Sequence, residues 1–265
     1  MNTTTEEKIS IIIPAYNEAN RIGRTLRSIV SFFDKQGLDY EVIVIMDGCT
    51  DGTDKMVLQM AESCNRIVPL IYPSRLGKGG ALIRGFWQAK GDYLIMLDAD
   101  GPTPPEDLYR LVLKMRDYDL VVGSRYIRDS RVLVREPLFR IVLSRVFNLL
   151  VKLMFPRLRN FRDTQCGVKV LRKEVLKRIG KDLFITDLAF DVNLIYSTVR
   201  NNFKVKEVGI TWRHSEEGSK VKGVLKVSVK MLLSLIRLRI YYSRFKSILE
   251  SKPIQWISKL IYTGI

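Results

Sequence analysis

Two aspartates bracket a single alanine directly after an apolar run that is typical of a buried strand. Asp98 and Asp100 follow residues 93–97 in this way. Carboxylates at this spacing can share one hard divalent cation with the phosphates of a substrate, and Mg²⁺ or Mn²⁺ suits such a site. An isolated Asp-x-Asp is at least as often a pair of solvated loop acids, so the metal hypothesis depends on the residues that accompany it.

A glycine-rich turn offers a second candidate contact for phosphate. Gly77-Lys78-Gly79-Gly80 opens a segment of helical period, and Arg75 lies just before it. Free backbone N–H groups and the positive end of a helix dipole favour an anion, and Arg75 and Lys78 add charge. The chain has neither the G-x-x-x-x-G-K-[ST] of a P-loop nor a G-x-G-x-x-G after the first strand, so kinase-like and dehydrogenase-like functions lose their main support.

Short apolar runs alternate with helical segments and must position these residues. Strands are predicted at residues 9–13, 41–46, 67–71, 93–97 and 120–122. Helices are predicted over residues 22–33, after Thr53 as an N-cap, and from about residue 80 to residue 89. The alternation predicts an α/β fold with a mostly parallel sheet flanked by helices, which binds ligands beyond the carboxyl ends of its strands. Polar or flexible residues follow all five strands, which predicts a single site at that edge.

Composition indicates a globular chain with an anionic partner. Hydrophobic residues make up 46% of the 265 residues, and 44 Lys+Arg against 28 Asp+Glu give a formal charge of +16. Lipid head groups, phosphorylated substrates and nucleic acid all suit this charge. Cys49, Cys64 and Cys166 are too few and too far apart to predict a disulfide framework or a zinc site. Residues 1–8 are polar and acidic, unlike a secretory signal, so we expect catalysis to face the cytoplasm.

Four motifs resemble, in order and spacing, those of family 2 of the inverting glycosyltransferases with the GT-A fold. They are Pro14-Ala15-Tyr16-Asn17-Glu18, Asp47-Gly48-Cys49-Thr50-Asp51-Gly52-Thr53, Gly77-Lys78-Gly79-Gly80 and Asp98-Ala99-Asp100. Later motifs resemble the branch that contains the dolichyl-phosphate glucose and mannose synthases. They are Arg162-Asp163-Thr164-Gln165-Cys166-Gly167, Phe190-Asp191-Val192, and Trp212 with Gly218-Ser219-Lys220. The resemblance extends to about Tyr242.

The resemblance implies a role for most of these residues. Asp98 and Asp100 would bind the metal and, with Ala99, the nucleotide sugar. The nucleoside pocket would be lined by Pro14, Tyr16, Glu18 and Asp47, with Asp47 reading the base and Arg75 and Lys78 near the base and the diphosphate. The acceptor phosphate would contact Ser124, Arg125, Arg140 and Ser144. Met46 replaces the first member of a usual Asp-Asp pair and Asn193 replaces a frequent Glu, which leaves the base selectivity open.

The chemistry favours a phosphate acceptor. A phosphate monoester, with a second pKa of about 6, is already largely ionised at neutral pH and needs no general base. We therefore expect transfer of mannose from GDP-mannose, or of glucose from UDP-glucose, to dolichyl or polyprenyl phosphate, giving a β-linked product. Asp191 is a third candidate catalytic residue, as a base or as an orienting group. Transfer to a sugar hydroxyl in glycan or polysaccharide synthesis, with Asp191 as the base, is the alternative. A nucleic-acid-binding module is a remote one, because the sequence has no recognition motif, and we expect no nucleic-acid partner.

Two basic amphipathic segments predict peripheral attachment to an anionic membrane surface. Residues 138–155 and 224–240 combine many large apolar residues with arginine and lysine. A helix that faces the core and presents a cationic solvent face is the alternative for either segment. No stretch reaches 18 uninterrupted apolar residues, so we expect no membrane span. We expect residues 1–222 to form the catalytic domain, with 1–123 binding the donor and 124–222 the acceptor, and 223–265 to form membrane-associating helices.

Overall fold

A mixed sheet of seven strands underlies the part of the chain that the structure describes, residues 7–134, 136–214 and 224–249 of a computed structural model. The strands of this sheet and of a smaller two-stranded one are, in chain order, β1 (Ile9–Ala15), β2 (Tyr40–Asp47), β3 (Ile67–Tyr72), β4 (Tyr93–Met96), β5 (Leu120–Ser124), β6 (Arg131–Val134), β7 (Lys169–Arg172), β8 (Val205–Gly209) and β9 (Thr211–Arg213). The large sheet has the order β3-β2-β1-β4-β7-β5-β8, and β6 pairs with β9 separately. Only β7 runs antiparallel to its neighbours in the large sheet. The prediction of a mostly parallel sheet is confirmed.

Helices cover both faces of this sheet, as the alternating pattern predicts. They are α1 (Ala19–Lys35), α2 (Thr53–Ser63), α3 (Lys78–Gln88), α4 (Pro105–Leu113), α5 (Leu138–Met154), α6 (Lys173–Ile179), α7 (Phe190–Arg200), α8 (Val224–Tyr241) and α9 (Lys246–Leu249). Successive strand residues point to opposite faces. Ile12 therefore packs with α3 and α5 to α8, whereas Ile11 and Ile13 pack with α1, α2 and α4. Burial on both faces explains the continuous apolar runs in the sequence.

Strand β7 is an element that the sequence pattern does not predict. It has four residues and both begins and ends with a basic one. It nevertheless lies between β4 and β5, with Lys169 in register with Met96 and Val122. Strands β4 and β5, which are consecutive in the chain, therefore do not pair with each other; each pairs with β7, which comes much later.

The start of α2 differs from its prediction. Thr53 is the first helical residue, and Gly52 occupies the N-cap position with a left-handed φ of 89°. Asp51 supplies the cap, because its Oδ1 accepts a hydrogen bond from the Thr53 backbone N–H at 3.0 Å. Thr53 Oγ1 instead accepts a hydrogen bond from the Glu18 backbone N–H at 2.8 Å. Thr53 therefore ties α2 to the turn between β1 and α1.

The two predicted amphipathic segments form α5 and α8. Helix α8 buries Met231, Leu235 and Leu238 in the core that contains Ile12. Its other side, and most of α5, exposes large apolar side chains. Among the described residues, no helix combines the length and the apolar character needed to cross a bilayer. The predicted motif at residues 218–220 lies outside the described residues.

Replacing Gly85 by alanine should destabilise the fold. Gly85 lies on α3, where an added Cβ would be 2.5 Å from Ile12 Cγ2 and 2.7 Å from Ile45 Cδ1. Overpacking of this kind costs roughly 1–3 kcal/mol, so G85A should lower the denaturation midpoint. The matched control is G23A on α1, where the nearest atom is the flexible Met56 Sδ at 3.1 Å and alanine is the better helix former. Equal midpoints for the two variants would contradict this packing.

Candidate active site

The ends of three neighbouring strands bring most of the predicted site residues to one edge of the sheet. Tyr16 and Glu18 follow β1, Asp47 ends β2, and Asp98 and Asp100 follow β4. Strand β1 lies between β2 and β4 and runs parallel to both. In open α/β sheets this edge is the usual place for a ligand.

Four alternating charges form the centre of the site. Lys78 Nζ lies 2.7 Å from Asp98 Oδ1 and 3.6 Å from Asp191 Oδ2. Lys169 Nζ donates to the other Asp191 oxygen, Oδ1, and to the carbonyl oxygen of Cys166. Lys169 and Asp191 are both almost fully buried. We call Asp98, Lys78, Asp191 and Lys169 the ion-pair chain; it connects the end of β4 with α3, α7 and β7.

Burial and opposite charge compete within the ion-pair chain. Burial acts to lower the pKa of Lys78, but the carboxylates of Asp191 and Asp98 raise this pKa above its usual value. Burial acts to raise the pKa of Asp98, but Lys78, followed by Lys169, holds this pKa below its usual value. Lys78 and Asp98 are therefore both charged at neutral pH. Asp98 also lies against Gly167, where any side chain would overlap its carboxylate.

The second aspartate of the predicted metal pair has a different environment. Burial raises the pKa of Asp100, and the neighbouring Asp98 carboxylate raises it further. Burial raises the pKa of Glu18 as well, against the lowering effect of Arg21. Arg21 NH1 is 4.0 Å from Asp100 Oδ2 and pairs more closely with Glu18. The negative charge of Asp100 is thus only partly neutralised, by Arg21.

Asp98 and Asp100 fit a divalent cation that is shared with a substrate. Burial is the main cause of the raised pKa of Asp100, and the Asp98 carboxylate adds to it; a cation bound between the two aspartates would offset both effects. Within the described residues, no group of three or more His, Cys, Asp or Glu side chains could hold a metal alone. Two carboxylates suit Mg²⁺ or Mn²⁺, because these ions keep coordination positions for phosphate and water. Thr25 Oγ1 donates to the carbonyl oxygen of Ala99 at 2.9 Å and so fixes the turn between the two aspartates.

Asp47, predicted to read the base, holds the backbone of the glycine turn in this structure. Its carboxylate accepts hydrogen bonds from the N–H groups of Leu76 at 2.5 Å and Gly77 at 3.1 Å. Arg75 Nε lies 3.6 Å from Asp47 Oδ2. The Arg75 guanidinium stacks on the Tyr16 ring, 3.4 Å from its centroid. Both oxygens of Asp47 are engaged by the turn, whereas Tyr16 and Arg75 form an exposed flat pair.

Other residues of the predicted nucleoside pocket contribute to the frame of this edge. Pro14 is half-buried in β1 and in register with Ile45. Glu18 precedes α1 as its N-cap residue. Met46, which stands where an aspartate is usual, is buried in the core beside α1. Base recognition by Pro14, Glu18 and Asp47 stays a prediction.

Three of the four predicted acceptor-phosphate residues line one cavity of about 550 Å³. Arg125, Arg140 and Ser144 share its wall with Lys78 and Asp191. The fourth, Ser124, is fully buried at the end of β5. The cavity therefore adjoins the ion-pair chain directly.

The arginines of this cavity differ in their partners. Arg125 Nε and NH2 donate to the Asp163 carboxylate at 2.8 Å and 3.0 Å, and NH1 lies 3.4 Å from Glu136 Oε2. Burial acts to lower the pKa of Arg125, but Asp163 raises it above its usual value. Arg140 has no carboxylate partner in the described part of the chain. Arg140 therefore offers a positive charge to an anion, whereas the charge of Arg125 is already balanced.

Besides these groups and Glu136, Gln165, Leu188 and Ser228, the cavity is lined by apolar side chains of α5 and α8. They are Leu143, Val146, Phe147 and Leu150 of α5 and Val227, Val229, Met231 and Leu232 of α8. A cavity lined by both charged and apolar side chains suits an amphipathic ligand with an anionic head. The sequence predicts both helices, but it does not predict that they pack around one cavity.

Sequence reasoning missed Lys169, and it did not predict the contacts of two other buried polar residues of the site. Lys169 belongs to no recognised motif, and it lies in a strand that the sequence pattern does not predict. Asp163 lies in a motif that the sequence singled out, but its bond to Arg125 spans 38 positions. Asn193 accepts hydrogen bonds from the N–H groups of Phe184 and Ile185 at 3.0 Å and 3.1 Å. The exchange of Glu for Asn therefore lies in a buried structural network.

Solved structures with the same architecture are glycosyltransferases with the GT-A fold. A glucosyl-3-phosphoglycerate synthase from Mycobacterium tuberculosis in complex with Mn²⁺, UDP and glucosyl-3-phosphoglycerate matches with a TM-score of 0.66. The match covers 86% of this chain and 80% of that chain at 20% sequence identity. A mannosyl-3-phosphoglycerate synthase from Rubrobacter xylanophilus matches with a TM-score of 0.67 over 88% of this chain and 74% of that chain, at 18% identity. These likenesses establish the fold.

Sequence comparison identifies the family. A dolichyl-phosphate beta-glucosyltransferase from Dictyostelium discoideum is 32% identical over 247 residues, which cover 88% of this chain and 74% of that protein. The dolichyl-phosphate beta-glucosyltransferase of Homo sapiens is 29% identical over 231 residues, covering 81% of this chain and 70% of that protein. The family model for glycosyl transferase family 2 matches residues 10–180. The chain therefore belongs to glycosyl transferase family 2.

Proposed function

We propose that this glycosyltransferase moves glucose from UDP-glucose to dolichyl or polyprenyl phosphate and gives a β-linked lipid-phosphate sugar. The cavity between α5 and α8 carries the proposal, because its wall combines the positive charge of Arg140 with apolar side chains of both helices. A lipid phosphate has a matching composition, an anionic head on an apolar chain. The relatives' names support glucose as the sugar. Mannose from GDP-mannose is supported only by the resemblance of Arg125, Arg140 and Ser144 to mannose synthases.

On the donor side, we propose that Asp98 and Asp100 hold a divalent cation against the diphosphate. Bound there, Mg²⁺ or Mn²⁺ would act as a Lewis acid that neutralises charge on the departing nucleotide. The M. tuberculosis complexes with Mn²⁺ and UDP or UDP-glucose support this choice of cofactor. The exposed pair of Tyr16 and Arg75 offers a flat surface on which a base can stack.

On the acceptor side, the residues suit a nucleophile that is already ionised. A phosphate monoester has a second pKa of about 6, so its oxygen can attack without a general base. Arg140 would bind this phosphate through charge-assisted hydrogen bonds. Both oxygens of Asp191 face ammonium groups, those of Lys78 and Lys169. This arrangement suits orientation and charge balance better than proton abstraction.

We further propose that α5 and α8 contact a membrane. Large side chains on α5 are strongly exposed, with Leu138 at 81% and Leu153 at 69%. Basic residues accompany them, namely Arg140, Arg145 and Lys152 on α5 and Lys226, Lys230, Arg237 and Arg239 on α8. Apolar side chains with flanking positive charge suit the interface of an anionic bilayer. A lipid acceptor would then reach the cavity from the surface that holds the enzyme.

Asp100→Asn should abolish metal-dependent transfer, because one of the two carboxylates that bind the cation is lost. We expect a fall in kcat/KM of roughly a hundredfold or more, since removing transition-state charge stabilisation has this scale. The measurement is glycolipid formation from UDP-glucose and polyprenyl phosphate with Mn²⁺, with GDP-mannose as a parallel donor. Asp117→Asn, at an exposed position, is the matched control. Equal activity of D100N and D117N, or full activity in excess chelator, would rule out the proposed metal pair.

Asp191→Asn should separate the two classes of acceptor. Asp191 lines the cavity, which is the observation that favours a hydroxyl acceptor as the second candidate. Loss of a general base costs roughly 10²–10⁴-fold, whereas a phosphate acceptor should keep its rate within about tenfold of wild type. Turnover of polyprenyl phosphate and of a sugar acceptor by the folded variant is the comparison. Wild-type turnover of the sugar acceptor alone, lost in the variant, would favour the hydroxyl mechanism, whereas a collapse of the polyprenyl-phosphate reaction would contradict transfer without a general base.

Arg140→Gln should raise the KM for polyprenyl phosphate and leave the KM for UDP-glucose unchanged. Loss of a charge-assisted hydrogen bond predicts an effect of about tenfold or more. Arg145→Gln is the control on the same helix, because the Arg145 guanidinium stacks 3.9 Å from the centroid of the Tyr126 ring and does not line the cavity. If both variants raise the acceptor KM equally, Arg140 acts only through the general charge of the helix.

A further inference from the structure

Lys169 is a charged side chain with no access to solvent. Its relative exposure is 0%, and it lies in the middle of the large sheet, in register with Met96 and Val122. An ammonium group at such a place is costly unless it is paired and hydrogen-bonded. Its partners are the Asp191 carboxylate and the carbonyl oxygen of Cys166. The ammonium group is therefore committed to Asp191, one residue of the cavity wall.

The charges around this lysine balance. Lys78 and Lys169 carry two positive charges against the two negative charges of Asp98 and Asp191. Lys78 and Asp191 line the cavity, whereas Lys169 lies behind them and does not. Without the Lys169 charge, one ammonium would face two carboxylates at the boundary between the metal pair and the cavity.

We propose that Lys169 is a positioning residue that balances the charge of Asp191 and so allows the cavity wall to accept a phosphate. This inference rests on the proposed phosphate acceptor. Loss of the Lys169 charge makes the wall more negative, which repels a phosphate in the cavity and attracts a divalent cation at Asp98 and Asp100. Two ligands of opposite charge thus respond in opposite directions, and a general loosening of the site does not produce that result.

A second contact of Lys169 must be separated from its charge. Its bond to the Cys166 carbonyl supports the loop in which Gly167 packs against Asp98. The double variant K169M/D191N also lacks this bond, but it restores the charge balance by removing one positive and one negative charge. Rescue by the double variant therefore reports on charge rather than on the loop.

The test compares wild type, K169M, D191N and K169M/D191N in two binding measurements. Calorimetry with citronellyl phosphate, and with citronellol as the uncharged control, measures acceptor binding, and electron paramagnetic resonance measures Mn²⁺ binding. K169M should weaken citronellyl phosphate binding roughly tenfold and tighten Mn²⁺ binding several-fold, because a unit charge acts strongly at short range in a partly dry site. D191N should do the reverse, the double variant should return both affinities to within about threefold of wild type, and citronellol binding should not change.

Three outcomes would overturn the inference. K169M could move both affinities in the same direction, the double variant could fail to restore them, or citronellol could lose affinity as much as the phosphate does. Should K169M alone not fold, the double variant is compared with D191N, from which it differs by one positive charge. Failure of the wild type to bind citronellyl phosphate overturns the proposed acceptor instead, and the Mn²⁺ series then decides the charge balance by itself.

Discussion

The ion pairs between Lys78 and its two aspartates are the interaction on which the site depends. Lys78 begins α3, Asp98 follows β4 and Asp191 lies in the first turn of α7, so one ammonium group holds three elements together. Lys169 extends the connection to β7. Because a buried charge is costly unless it is balanced, removal of any one of these groups leaves an excess of the opposite charge in the ion-pair chain. The donor and acceptor sides of the proposed reaction are thus mechanically and electrostatically coupled.

Hydrogen bonds between side chains and the backbone fix the loops around this centre. Asp47 holds the N–H groups before α3, and Asp51 caps α2. Thr25 holds the turn at Ala99. Each bond satisfies a donor or acceptor that a loop or helix end would otherwise leave open. Asp47, which the family motif assigns to ligand binding, therefore also fixes the conformation of the loop around the site.

The sequence predicts the parts of this molecule that depend on local pattern. Strands such as β1 and β2 are mostly apolar because both faces are covered, and the turns after them carry recognisable polar motifs. Strand β7 escapes prediction because Lys169 breaks the apolar pattern and its charge is balanced by Asp191, 22 positions later. The pairing of Arg125 with Asp163 likewise depends on the tertiary structure, because the two residues are 38 positions apart in the sequence. The sequence thus indicates which residues lie at the site. It does not indicate which of their charges neutralise one another and which are available to a ligand.

The place of β7 in the sheet has a consequence for how the chain folds. Strand β4 lies beside β1 on one edge and finds its other neighbour only in residues 169–172. Strand β5 also waits for that segment, and for β8. During synthesis, both strands therefore expose unpaired backbone until late in translation, and such open edges invite wrong pairing with other chains. Protection of these edges by a chaperone or by rapid helix docking would matter most for the nascent chain.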